Sequence, residues 1–179
     1  RVTTFFTEYF YEILKRCPGE IDMVFTADDI GHQDGLLLSL DMWEEFIKPY
    51  HVRINEMIHS VGAKVIYHTD GAVSEAVPGL MDMGIDVLQA LQFSAANMDP
   101  EHLKDNHGTQ LCFEGGMCVQ KVLPFGSEEE VRQETRKLIS ILGKDGGYLC
   151  GPSHFIQAGT PAENIAAFFD EAMGFYPFR

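Results

Sequence analysis

Apolar positions recur along the chain in two alternating rhythms. Phe5, Phe6, Tyr9, Phe10, Ile13 and Leu14 fall at helical spacing, and Pro18-Gly19 stops the run. Residues 21–26 read as a short buried strand that ends at Asp28-Asp29. A loop through Gly31 and Gly35 leads to Ser39, whose hydroxyl suits a helix N-cap. Beyond it Trp43, Phe46, Ile47, Tyr50, Ile54, Met57, Ile58 and Val61 predict one apolar face of a single helix of about five turns. Pro49 inside that helix removes a backbone donor and predicts a kink, and Gly62 closes the run.

The same rhythm continues to the end. Residues 63–67 predict a strand running into His68-Thr69-Asp70-Gly71, and a short helix over 73–83 stops at Gly84. Residues 85–91 predict a third strand, and Asp99-Pro100 opens the next helix as cap and first helical residue. A fourth strand over 110–114 ends at Gly115-Gly116. Ser127 and Glu130 then form a capping box for a helix to about Leu142. Tyr148 begins a fifth strand leading into Gly151-Pro152-Ser153-His154, and Thr160 with Glu163 spells a second capping box before the last helix.

Five short apolar strands alternating with helices call for a parallel sheet with helices packed outside it. Both an open doubly wound sheet and a (β/α)₈ barrel satisfy this, and the placement of chemistry separates them. Asp28-Asp29, His68 and Asp70, Gln89 and Gln92, Glu114, and His154 follow successive strands. An open sheet gathers its site at one switch point, whereas a barrel draws on every strand end. A full barrel needs about 250 residues. The 179 residues therefore read as a single domain, 1–179, forming part of one.

Composition narrows the function. Apolar residues make up 45% and charged residues 22%, an ordinary globular balance. With 13 basic and 27 acidic residues the formal charge is −14, which disfavours nucleic acid and anionic membrane surfaces as partners. There is no apolar run of the roughly 18–20 residues that cross a bilayer, and no cationic start followed by an apolar block that would suggest a secretory signal. Cys17, Cys112, Cys118 and Cys150 form no Cys-x-x-Cys pair, which fits a reduced, cytoplasmic protein. In this reading Cys112 and Cys150 are small buried strand thiols.

Several segments, taken in order, resemble the uroporphyrinogen decarboxylase superfamily. They are Asp28-Asp-Ile-Gly-His-Gln33, Trp43-Glu-Glu-Phe-Ile-Lys-Pro49, Tyr67-His-Thr-Asp-Gly71, Glu114-Gly-Gly116, Leu123-Pro-Phe-Gly126 and Gly147-Tyr-Leu-Cys-Gly-Pro-Ser-His154. The resemblance implies the C-terminal portion of a (β/α)₈ TIM-type barrel, with about five parallel strands. It also implies one of two chemistries, metal-free decarboxylation of uroporphyrinogen or zinc-dependent methyl transfer from a methylated corrinoid to a thiol. The methyltransferases carry His-x-Cys where this chain has His68-Thr69-Asp70, and a second Cys near His154. Asp70 and His154 thus replace both thiolates.

Side chains two apart at a strand end share a face, so His68 and Asp70 can both point into a barrel mouth. With His154 they make a three-ligand set with an open fourth position, suited to zinc or another first-row divalent metal. A metal-free polar pocket and simple backbone hydrogen bonding remain the alternatives for these histidines. Glu114, at the end of a buried strand, reads as a fourth ligand or a general acid–base, or else as a cap on neighbouring amides. Asp28 and Asp29 orient substrate or hold their loop. Gln33, Gln92 and Gln157 are candidate substrate contacts. His32, His51, His59, His102 and His107 lie in helical or loop contexts with no partner spacing and read as surface residues.

The leading expectation is methyl transfer, with a metal at His68, Asp70 and His154 and a corrinoid carried by a partner protein. The runner-up is decarboxylation of a carboxylated substrate, with His154 and Asp28 or Asp29 stabilising a protonated intermediate. A third is an inactive folding module. Because five strands cannot close a barrel, the isolated chain is expected to form a homo-oligomer through its open edges.

Overall fold

The structure, a computed structural model, describes residues 1–174. The chain divides into two compact units, Arg1–Leu88 and Gln89–Arg179. The first holds α1 (Val2–Arg16), β1 (Met23–Ala27), β2 (Gly31–His32), β3 (Gly35–Leu36), α2 (Leu40–Phe46), α3 (Lys48–Ser60), β4 (Lys64–His68), a 3₁₀ turn (Ser74–Ala76) and α4 (Val77–Asp82). The boundary falls inside β5 (Val87–Ala90). The second holds α5 (Pro100–His107), β6 (Cys112–Met117), α6 (Val122–Phe125), α7 (Glu128–Leu142), β7 (Tyr148–Pro152) and α8 (Ala162–Gly174).

The five longer strands form one sheet in the order β1-β4-β5-β6-β7, and β2 pairs with β3 as a separate antiparallel ribbon. β1 pairs with β4 and β6 with β7 in parallel, as helical crossovers between consecutive strands require. This is the predicted architecture, a partial (β/α)₈-type arrangement with five parallel strands. Among the described residues no helix is long and apolar enough to cross a membrane.

Local signals account for most element ends. The Ser39 hydroxyl accepts from the Met42 amide, and the Asp99 carboxylate from the His102 amide with Pro100 in the first turn. Ser127 and Glu130 make both bonds of the predicted capping box. Gly62, just past α3, has φ +87°. In the first unit Trp43, Ile58, Val65, Tyr67, Leu80 and Met83 are fully buried. Gly79 lets α4 approach Trp43, since a Cβ there would lie 2.8 Å from the indole ring. In the second unit Leu103, Phe113, Leu123, Val131, Leu138 and Phe168 form the core.

Three expectations need correction. The long helix with a kink at Pro49 is two helices broken at Ile47, and Pro49 sits in the first turn of α3. A missing N–H costs nothing there, because first-turn amides have no intrahelical acceptor. With the helix broken, the apolar stripe no longer shares one face: Trp43, Ile54 and Ile58 are buried, but Phe46, Tyr50 and Val61 are exposed. In α1 only Leu14 is buried, and the aromatic rings instead pair along the helix, Phe5 with Tyr9 and Phe6 with Phe10. β1 is not buried throughout but alternates, with Val24 and Thr26 inside and Met23 and Phe25 exposed.

The last correction is β6, which runs past Glu114 through both glycines to Met117. Gly115 has φ +104°, and a Cβ there would lie 2.3 Å from the Ala90 carbonyl oxygen. Only glycine continues a strand in that conformation against a neighbouring backbone.

Candidate active site

In the first unit the β1 and β4 ends are interlocked backbone to backbone. The register pairs Ala27 with His68, so Asp28 and Asp29 leave β1 beside Thr69 and Asp70. The Asp28 amide donates to the His68 carbonyl at 3.2 Å, and the Ala72 amide donates to the His32 carbonyl at 2.8 Å. The Ile30 amide donates to Thr69 Oγ1 at 3.1 Å and the Asp70 amide to Asp29 Oδ1 at 3.1 Å. Gly71 has φ +87°, and a Cβ on it would lie 2.6 Å from the backbone of Gly31 and His32. This close approach explains the glycines that flank both acidic motifs.

Two carboxylates face one imidazole across this junction. His68 Nε2 lies 3.7 Å from Asp29 Oδ1 and 3.9 Å from Asp70 Oδ2. Both separations exceed hydrogen-bond length. The Phe25 ring stacks on His68 with centroids 5.8 Å apart.

His51 contributes a second imidazole from α3. Its Nε2 lies 2.8 Å from Asp28 Oδ2, and its ring meets Tyr67 edge to face at 5.4 Å. The Tyr67 hydroxyl donates to the Asp28 carbonyl at 3.2 Å. Burial first, and then the negative charge of Asp28 and Asp29, pushes the Tyr67 pKa well above its ordinary value. Tyr67 therefore remains a neutral donor at working pH. Of the histidines read as surface residues, His32 accepts from the Asp34 amide and His102 meets the Asn106 amide, while His51 and His59 pair with carboxylates. His51 holds Asp28, and His59 Nε2 lies 2.7 Å from Asp86 Oδ2. One signal pointed to the first: His51, Ile54 and Ile58 share a helical face.

In the second unit Glu114 is half-buried on β6. A Cβ on Gly151 would lie 2.8 Å from Glu114 Oε1, so the glycine leaves room for the carboxylate. Burial raises the Cys150 thiol pKa, a hydrogen bond with Tyr148 opposes this, and the charge of Glu114 adds to the rise. Cys150 is accordingly a neutral thiol. The Tyr148 hydroxyl donates to the Gly115 carbonyl at 2.7 Å. His154 follows β7 and meets the exposed Phe155 ring edge-on at 5.3 Å.

The three glutamines lie in different settings. Gln33 lies in the turn between β2 and β3. Gln92 points its amide at Ser94 Oγ and Gln120 Oε1, at 3.5 and 3.4 Å. Gln157 donates to the Phe155 carbonyl, closing its own loop at 2.8 Å.

Strand ends bearing half-buried histidines and carboxylates on parallel strands define a barrel-type enzyme scaffold. Residues 2–175 match the family description "Uroporphyrinogen decarboxylase (URO-D)". The chain belongs to the uroporphyrinogen decarboxylase family. It is 29% identical over 147 residues to a methylated-thiol–coenzyme M methyltransferase of Methanosarcina mazei, covering 82% of this chain and 36% of that protein. It is 26% identical over 132 residues to a uroporphyrinogen decarboxylase of an Anaeromyxobacter species, covering 74% of this chain and 36% of that protein. A solved methyltransferase from Methanosarcina mazei shares the fold, with TM-score 0.75 and 21% identity over 97% of this chain and 47% of that one. The chain thus spans about a third of the length of the curated relatives it matches.

Proposed function

We propose that the protein is a methyltransferase of this family. In this reading it moves a methyl group from a methylated corrinoid, borne by a partner protein, to a thiol or similar acceptor. What carries the reading is the junction in which His68 faces both Asp29 and Asp70, in a chain similar to a methylated-thiol methyltransferase. His68, Asp70 and His154 would hold a divalent first-row metal, zinc above all. Each is half-buried and offers one ligand atom, and two imidazoles with one carboxylate suit such an ion. When bound, the ion would supply the positive charge that keeps an acceptor thiol deprotonated at neutral pH.

The chain's own residues would do the rest. Asp29, accepting from the Asp70 amide, holds the ligand-bearing loop in place. Glu114, half-buried beside Gly151, would take the proton that leaves the acceptor thiol. Asp28, fixed by His51, would orient the acceptor, with Gln33, Gln92 and Gln157 as further contacts to it.

The test is elemental analysis of full-length protein purified without chelator, paired with methyl transfer from methylcobalamin to 2-mercaptoethanesulfonate. About one equivalent of metal is expected, lost together with transfer in His68→Ala and His154→Ala. Metal-free protein that cannot be reconstituted sinks the proposal. The second reading, metal-free decarboxylation by His154 with Asp28 or Asp29, draws on the paired Asp28–His51 carboxylate and on the decarboxylase relative. It gains if the metal-free protein releases carbon dioxide from uroporphyrinogen.

A further inference from the structure

A cavity of about 410 Å³ opens in the first unit between α1, the end of β1 and α3. Its walls are mainly apolar, with Phe6, Phe10, Phe25 and Ile54 among them. Thr3, Thr26, Asp28, Tyr50 and His51 interrupt that lining with polar side chains. Two of these hold buried polar atoms with no hydrogen-bond partner among the described residues, Thr26 Oγ1 and His51 Nδ1. Thr26 is only 7% exposed and the His51 side chain 12%. A buried polar atom left without a partner costs about 1–3 kcal/mol, so two on one cavity wall point to a group that meets them from the cavity.

The hydrogen-bonding sense of that group follows from the chemistry. A carboxylate only accepts, so His51 Nε2 carries the proton given to Asp28, and in that tautomer Nδ1 is an acceptor. Thr26 Oγ1 can accept as well. Asp28 brings negative charge and spare lone pairs, and Asp29 follows it in the chain. All three groups ask for donors, and the charge asks for a cation. A second carboxylate brought beside Asp28 would meet repulsion.

We infer that this cavity is a binding site for a primary amine on an aromatic or branched aliphatic body. The ammonium lies against Asp28, Thr26 and His51, and the apolar body fills the space among Phe6, Phe10, Phe25 and Ile54. The inference rests on the cavity alone and needs no metal. Because Phe25 also stacks on His68, an occupant would press against the ring that stacks on the proposed metal ligand.

The experiment is calorimetric titration of the full protein with 2-phenylethylamine and with 3-phenylpropanoate, which share a ring but carry opposite heads. It is run on metal-free and on zinc-loaded samples. The amine should bind at least about tenfold more tightly than the carboxylate in both, the value of one charge-assisted hydrogen bond. Thr26→Val should weaken the amine by about fivefold or more, and Ile54→Trp, which fills the cavity, should abolish binding. Equal affinity for the two probes, or unchanged binding in Ile54→Trp, overturns the inference. Should Ile54→Trp lose its circular dichroism signal, magnetisation transfer in the wild type decides. Contacts from the phenyl protons to Ile54 and Phe25 sustain the site, and their absence overturns it.

Discussion

The two ends of β4 carry the same chemical types, histidine and carboxylate, in opposite arrangements. At the start of the strand Asp86 is fully engaged. It accepts from the Val65 amide at 2.8 Å, from Lys64 Nζ at 2.9 Å and pairs with His59 at 2.7 Å. Burial alone would raise its pKa, but the Val65 amide, His59 and Lys64 outweigh that and hold it below the ordinary carboxylate range. At the far end His68 stands 3.7 and 3.9 Å from two carboxylates. The first cluster spends its interactions on holding the chain together. The second leaves two carboxylates facing one imidazole at a distance that a cation could bridge. On the reading proposed above, the short bonds belong to a structural anchor and the wider spacing to a metal site.

Substitution should separate the two ends cleanly. The largest expected effect is on metal affinity. His68→Ala and Asp70→Ala in the full-length protein should each weaken zinc binding by at least about a hundredfold while shifting stability by under about 1 kcal/mol. Zinc competition and urea unfolding check the pair, and a variant that unfolds while keeping its zinc would reverse the assignment.

The mirror-image experiment is Asp86→Ala. It should cost about 2–3 kcal/mol, because the Val65 amide, Lys64 and His59 lose their acceptor together, and it should leave zinc affinity unchanged. The urea midpoint is the measurement, and a shift below about 0.5 kcal/mol would reduce Asp86 to a surface charge.

A pH series sharpens the same contrast. A carboxylate whose folded pKa is lowered stabilises the protein in its ionised form. The stability difference between wild type and Asp86→Asn should therefore be fully present above the unfolded value, near 3.8. It should shrink as the pH falls through the lower folded value. Unfolding curves recorded from pH 6 downward test this, and a difference that grows in acid contradicts it.

The smallest expected effect lies away from both ends. Pro49→Ala should change stability by less than about 1 kcal/mol, since Pro49 occupies the first turn of α3, where no helical bond is lost. Thermal unfolding that moves by the ~3 kcal/mol of an interior proline would restore the kinked-helix reading.

How much of the site was legible in advance differs residue by residue. His68, Asp70, Glu114 and His154 stood out because each lies at or just past the end of an apolar strand as the sequence predicts it, and strand ends are where a barrel keeps its chemistry. His51 did not stand out, for its partner Asp28 lies 23 residues away and no fixed spacing links them. Asp86 and His59, 27 residues apart, were hidden for the same reason. The break at Ile47 escaped because apolar periodicity runs across it unbroken, while the helix phase resets at the proline.

The sequence by itself determined the alternation of strands and helices, the caps at Ser39, Asp99 and Ser127, and the family to which the chain belongs. These depend on side chains within a turn or two of one another, or on motifs read in order, and neither needs the chain to fold back. Only the tertiary structure decided which imidazole meets which carboxylate, why Gly71 and Gly115 cannot carry a side chain, and that Thr26 and His51 line one cavity. Those facts arise where β1, α3 and β4 return to the same place, and where Gly115 presses on the Ala90 backbone. Distance in space is then set by packing, on which spacing along the chain is silent.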